Sequence, residues 1–462
     1  MIMRDNTSWR IGFIGFASAM GGLLFGFETA VISGAIELVR VQFNLNTAME
    51  GWFVSSGLLG CIIGVFVAGL LSDRIGRKNV LLFAGLLFLI CSVGCGIAIS
   101  TKSLIGYRFI GGVGVGIASV VSPMYITEFA PPRIRGRMVA SYQLAITIGI
   151  LLAYFSNAWL LSLSDTIQTD NAWLSWVFQH EVWRGMFLVM ALPSLLFIVL
   201  IILVPESPRW LILKGKYSKA RSILMTIQEK NIAEQQFEVI KKRSSLRKTS
   251  QRSIWSSSLR TPLLIGIMLC VFQQFSGINA IIYYGPKIFK EAGFAADGAL
   301  YSQVIIGVVN VVFTLVAITQ SDKFGRKPLL MVGLIGMIFS LLMVGLCFYT
   351  DNTQGLFLLG LLVVFIACFA LSVGPVTWII INEIFPDDVR TKAVSICTFS
   401  LWVAVGIVGQ FFPWLLERVG PSGVFWIFAG FSAINLLLCR KMIVETKGKT
   451  LEEIEEVYVA PH

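Results

Sequence analysis

Glu28 stands in the middle of an apolar run, GGLLFGFETAVISGA, where an ionised side chain costs about 3 kcal/mol or more if lipid surrounds it. A second buried ion, Arg108 in YRFIGGVGVG, is its natural counter-charge. Burial raises a carboxyl's pKa and a nearby guanidinium lowers it, so small movements between the two could load or release a proton. The same two residues could equally form a static ion pair that fixes two helices. A different chemistry is written into VFQQFSGINAIIYYG, where Gln273, Gln274 and Asn279 fall within seven residues. Each amide offers donors and an acceptor, which is what an uncharged, hydroxyl-rich ligand needs. A single amide in such a run usually bonds to a neighbouring helix, whereas three together point to a ligand. Tyr283, Tyr284, Trp378 and Trp402 supply flat apolar faces for a ring, although aromatic residues also settle at lipid interfaces. The only histidines are His180 and His462, and no nucleophile triad, metal-ligand spacing or phosphate loop occurs. Enzyme chemistry, cofactors and metals are therefore not expected.

The elements that must carry these residues are membrane spans. Of 462 residues 56% are hydrophobic and 14% charged, and mean hydropathy is +0.79, too apolar for a soluble globule of this size. About twelve stretches reach the roughly 20 apolar residues that a span requires. They start near Ile11, Trp52, Val80, Ser103, Met138 and Met186, then near Pro262, Ala299, Leu329, Gly355, Lys392 and Val424. The chain is also duplicated. GLLSDRIGRK from Gly69 returns as ITQSDKFGRKP from Ile318, and EFAPPRIR from Glu128 returns as EIFPDDVR from Glu383. The expected organisation is a first six-helix bundle over 1–205, a linker with short helices over 206–258, a second bundle over 259–443 and a tail over 444–462.

A net charge of +11 invites a nucleic-acid partner, but 13 Lys or Arg against 4 Glu between Glu206 and Arg260 place +9 of it in one loop. Most other basic residues alternate with the spans, so the positive-inside rule puts both termini, the linker and the repeated motifs in the cytoplasm. Nucleic acid is excluded as a partner on that ground. The N-terminal apolar run lacks a small-residue cleavage site and is expected to stay as the first helix. The eight cysteines all lie in or beside apolar spans and serve as small packing residues. Gly112 and Gly116, like Gly60 and Gly64, are placed for close helix packing and not for a nucleotide fingerprint. At the ends of the spans, the repeated Asp, Arg and Glu residues could latch the two halves together; isolated surface pairs are weak, so only a network could bias a conformational equilibrium.

DRIGRK from Asp73, YRFIGGVGVG from Tyr107, PESPRWL from Pro205, QQFSGINAIIYYGP from Gln273, DKFGRKP from Asp322, GPVTWIIINEIFP from Gly374 and ETKGKTLEEI from Glu445 together resemble the sugar porter family of the major facilitator superfamily. The likeness covers nearly the whole chain and is strongest to bacterial proton-coupled xylose and hexose symporters, more distant to animal glucose facilitators. It implies an all-α fold of twelve transmembrane helices in two six-helix bundles that rock around one central site. It implies a monosaccharide such as glucose, galactose or xylose as cargo, protons as the coupled ion, and a functional monomer in the bacterial inner membrane. By resemblance the sugar contacts are Gln143, Gln273, Gln274, Asn279, Asn310, Trp378 and Trp402, with Phe25 and Tyr283 lining the cavity, and Glu28 with Arg108 couples the proton. The latch would join Asp73, Arg77, Glu128, Arg135, Glu206 and Arg209 in the first half to Asp322, Arg326, Glu383, Arg390 and Glu445 in the second. Four positions depart from the family pattern. Proton-coupled relatives carry Asp where Glu28 stands, Leu401 replaces an amide, Ile150 stands at a Gln position of the xylose symporter, and Val444 replaces Pro. A passive facilitator is the nearest alternative, followed by a non-transporting nutrient sensor; a drug antiporter would need more acids in the cavity.

Overall fold

The computed structural model describes residues 2–131, 134–164, 170–246, 253–353, 355–386 and 389–447, together with 453 and 458. Five long helices open the chain: α1 (Ile2–Phe43), α2 (Thr47–Ile75), α3 (Arg77–Ile97), α4 (Thr101–Phe129) and α5 (Arg135–Ser164). A short α6 (Ala172–Ser175) and a π-helical turn over Trp176–His180 lead into α7 (Val182–Leu188) and α8 (Ala191–Leu203), which together make the sixth span. Three linker helices follow, α9 (Pro208–Leu213), α10 (Tyr217–Ile227) and α11 (Lys230–Leu246). The second half contains α12 (Arg260–Phe275), α13 (Ile278–Glu291), α14 (Ala296–Phe324), α15 (Arg326–Tyr349), α16 (Gly355–Leu371), α17 (Val373–Glu383) and α18 (Arg390–Met442).

Among the described residues, eleven helical stretches are long and apolar enough to cross a membrane. The expected twelfth is hidden in α18. Its 53 residues would reach about 80 Å at 1.5 Å per residue, far beyond a bilayer core of about 30 Å. Gly420, with φ of 73°, and Pro421 break it into two spans. The fold is thus an all-α membrane architecture of twelve spans, six in each half, as the duplication requires.

Three of the spans are broken in their middle, and the sequence explains each break. In the seventh, α12 ends at Phe275 and α13 starts at Ile278, because Gly277 takes φ of 87°, a left-handed conformation open to glycine. In the tenth, Ser372 separates α16 from α17. In the sixth, Val189 and Met190 separate α7 from α8. Elsewhere the spans pack closely. A Cβ at Gly112 of α4 would collide with the Gly57 carbonyl of α2, and one at Gly116 with the Cys61 carbonyl, so the glycine stripe lets the two backbones touch as its spacing predicts.

The halves meet along three seams: α2 against α18, α5 against α14, and α1 against α13. On the face distal to the termini these seams are tied by polar bonds between the halves. Lys287 lies 2.7 Å from Glu50 and Lys290 lies 3.2 Å from Glu37. Thr47 Oγ1 donates to Glu417 at 2.8 Å, and Ser55 Oγ donates to Gln410 Oε1 at 2.5 Å. Deeper in, Tyr154 of α5 donates its hydroxyl to the Ile282 carbonyl of α13 at 3.1 Å. None of these ties was read from the sequence, because each pairs residues that look like ordinary polar span ends.

Candidate functional site

Glu28 on α1 and Arg108 on α4 form the ion pair that their types suggested. Arg108 Nη1 donates to Glu28 Oε1 at 2.5 Å and to the Glu28 carbonyl at 3.1 Å. Their side chains are only 3% and 5% exposed, so the pair is held away from water by α1, α2 and α4. Cys91 Sγ of α3 donates to the same Oε1 at 3.6 Å and lies 3.9 Å from Cys95 Sγ. Packing alone was expected of Cys91, and nothing in the sequence marks it as a partner of the carboxylate. Among the described residues, Glu28 Oε2 and Arg108 Nε are buried without a protein partner.

The amide cluster is built around the break in the seventh span. Gln273 and Gln274 end α12, and Asn279 opens α13. Asn279 Nδ2 donates to Gln274 Oε1 at 2.5 Å, so two of the three amides form one unit across the break. Gln273 faces another way. Its Nε2 donates to the Val373 and Gly374 carbonyls at 3.1 and 3.3 Å, tying the seventh span to the broken tenth. Its Oε1 is buried without a protein partner among the described residues. Bonding between helices, the ordinary role of a buried amide, thus accounts for one end of Gln273 and for the facing ends of Gln274 and Asn279.

Phe25 of α1 and Trp402 of α18 bring their rings to 5.5 Å across the two halves. Trp378 is half-buried on α17, Gln143 half-buried on α5 and Asn310 buried on α14. Among the described residues, the side chains of Gln143 and Asn310 make no hydrogen bond to protein. Tyr283 lines the small cavity beside Glu28 and Arg108. Tyr284 is consumed by structure, donating to the Gly409 carbonyl at 2.9 Å and stacking on Phe412.

The charged residues expected to latch the halves form two cages instead, one in each half, on the face that carries the termini. In the first, Arg77 lies 3.3 Å from both Asp73 and Glu128. Glu206 accepts from the backbone N–H groups of Arg77 and Lys78 at 2.9 and 3.2 Å, and Ser207 donates to Glu128. In the second, Arg326 lies 3.2 Å from Glu383. Glu445 accepts from the N–H groups of Arg326 and Lys327 at 3.0 Å, and Thr446 Oγ1 donates to Glu383 at 2.6 Å. The glycine of each repeated motif makes this possible. Gly76 and Gly325 take φ of 97° and 89°, and a Cβ at either would strike the carboxylate of Glu206 or Glu445. Arg390 donates to the Phe385 carbonyl at 3.1 and 2.9 Å, and Arg209 is exposed on α9 near Glu128. The side chains of Arg135 and Asp322 lie outside the described residues. In this conformation the ion pairs of Arg77 and Arg326 with carboxylates lie within their own halves. Arg77 and Arg326 each start a helix beside carboxylates of their own half.

A duplicated bundle with a buried carboxylate–guanidinium pair and amides at a broken span has the construction of a secondary transporter. A family described as sugar (and other) transporter matches residues 14–458, and the chain belongs to that family. It is 39% identical over 459 residues to the arabinose-proton symporter of Bacillus subtilis, covering 99% of this chain and 97% of the relative. It is likewise 39% identical over 491 residues to the D-xylose-proton symporter of Escherichia coli, covering 98% and 97%. The solved inward open conformation of the xylose transporter XylE from E. coli superposes with a TM-score of 0.83 at 36% identity, over 97% of this chain and 100% of that one. The chain is a sugar-transporter-family protein of the major facilitator type and not an enzyme.

Proposed function

We propose that the protein is a symporter of monosaccharides and protons that works by alternating access of one central site in the bacterial inner membrane. The observation that carries this reading is the buried Glu28–Arg108 pair, whose carboxylate keeps one oxygen without a protein partner. A carboxylate with one oxygen bonded to Arg108 and the other without a protein partner can take a proton on the second while the first keeps its counter-charge. The symporters named among its relatives support the same assignment. The Gln274–Asn279 unit, with Gln143, Gln273, Asn310, Trp378 and Trp402, holds the sugar, and Phe25 closes on it. The proton is carried by Glu28, with Arg108 as its counter-charge.

The halves divide at residues 205 and 259, the termini and linker face the cytoplasm in accord with their basic residues, and a single chain suffices. In this reading the described conformation is closed to the outside by the ties of the distal face. The cytoplasmic cages rest apart and meet across the halves when the inner face shuts. The test compares wild type and Glu28→Gln in the same proteoliposomes. The neutral amide should abolish accumulation driven by a pH gradient while preserving exchange of labelled for unlabelled sugar. Loss of both together would identify a static ion pair.

A further inference from the structure

Beside the ion pair lies a small cavity of about 10 Å³, lined by Glu28 and Thr29 of α1, Gly57 and Cys61 of α2, Arg108 of α4 and Tyr283 of α13, among others. That volume is about what the centre of one water molecule occupies, and a dry cavity of this size would be expected to be apolar. This one is not. Glu28 Oε2 and Arg108 Nε, both buried and both without a protein partner among the described residues, belong to two of the side chains that line it. Three polar partners are what a buried water typically bonds, and Tyr283 supplies the third. It is 2% exposed and close enough to Arg108 and Cys61 for electrostatic interaction. The remaining titratable groups near the pair are Cys91 and Cys95 of α3.

We propose that this cavity binds one water bridging Glu28 Oε2, Arg108 Nε and the Tyr283 hydroxyl, and that Tyr283 is the positioning residue through which the proton site acts on the second half. The inference rests on the symport reading and deepens it. The donor count fits: the water accepts from Arg108 Nε–H and gives one hydrogen to the Glu28 carboxylate and the other to Tyr283. When a proton binds Oε2, that oxygen becomes a donor, the water must accept from it, and, polarised now by two donors, the water donates more strongly to the Tyr283 hydroxyl. Tyr283 lies on α13 four residues beyond Asn279, on the turn after the amide unit. A charge change in the first half is thereby read at the helix that carries the amides in the second.

The experiment measures proton and sugar influx together in proteoliposomes, with a trapped pH dye and whichever of labelled xylose, arabinose or glucose gives the fastest wild-type uptake. The ratio of the two fluxes does not depend on how much carrier is active. Tyr283→Phe, which removes only the hydroxyl, should lower the proton-to-sugar ratio at least threefold. Val115→Ile, which places a methylene into the same cavity, should do the same, and serves if the first variant does not fold. An unchanged ratio in a folded variant overturns the inference while leaving symport intact. A wild type that moves no protons with sugar overturns both.

Discussion

Gln274 is the residue whose removal reports most cleanly on sugar recognition, since its carbonyl oxygen already holds Asn279 and its own amide group is left for a ligand. Truncation strands the Asn279 donor and removes a ligand contact, each worth about 1 to 3 kcal/mol when buried. Gln274→Ala should therefore weaken sugar binding by tenfold or more in a titration of purified protein; unchanged affinity would remove the amide unit from the site. At this scale the sequence was informative wherever a residue type is costly in lipid. Glu28, Arg108 and the amides announced themselves by chemistry alone. Cys91 and Tyr154 did not, because their parts depend on which helix faces them across space.

The elements were legible by length and apolarity, and the breaks within them only in part. Gly277 and Pro421 sit at breaks, yet the chain has 43 glycines and 14 prolines, most of them in unbroken or gently bent helix. The two cages are better marked, because the same string recurs with its glycine in place. Their energetics follow from Glu445. Burial pushes its carboxyl up, but the backbone N–H groups of Lys447, Arg326, Lys327 and Thr446 outweigh burial and hold it below the ordinary value. A lowered folded-state pKa adds stability above the unfolded value and loses it as pH falls through the folded one. Glu445→Gln should therefore melt at a lower temperature than wild type at pH 7, and the gap should close as pH falls below about 4.3. A gap that persists at pH 3 would mean that the side chain acts by shape and not by charge.

For the whole molecule, the duplication predicted two bundles of six spans, and the structure bears out that architecture. Which face was closed could not be read, because both conformations use the same residues. The ties found on the distal face supply that answer. Glu50 is 3% exposed and Lys287 18%, so the ion pair that joins the halves is largely desolvated. Glu50→Gln leaves Lys287 without its charge partner only while that face is shut, which shifts the population toward the form opened there. Hydrogen exchange should accelerate at the distal ends of α2 and α13 and slow around the cages. Equal exchange at both faces would show that the pair has no influence on the equilibrium.

Proton coupling is the central claim, and steady-state sugar accumulation by wild-type proteoliposomes under an imposed pH gradient tests it most directly. Internal sugar should exceed external sugar when the outside is acid, rise with the size of the gradient and collapse to equality when a protonophore is added. An internal concentration that only ever reaches the external one, whatever the gradient, would contradict symport and leave a facilitator.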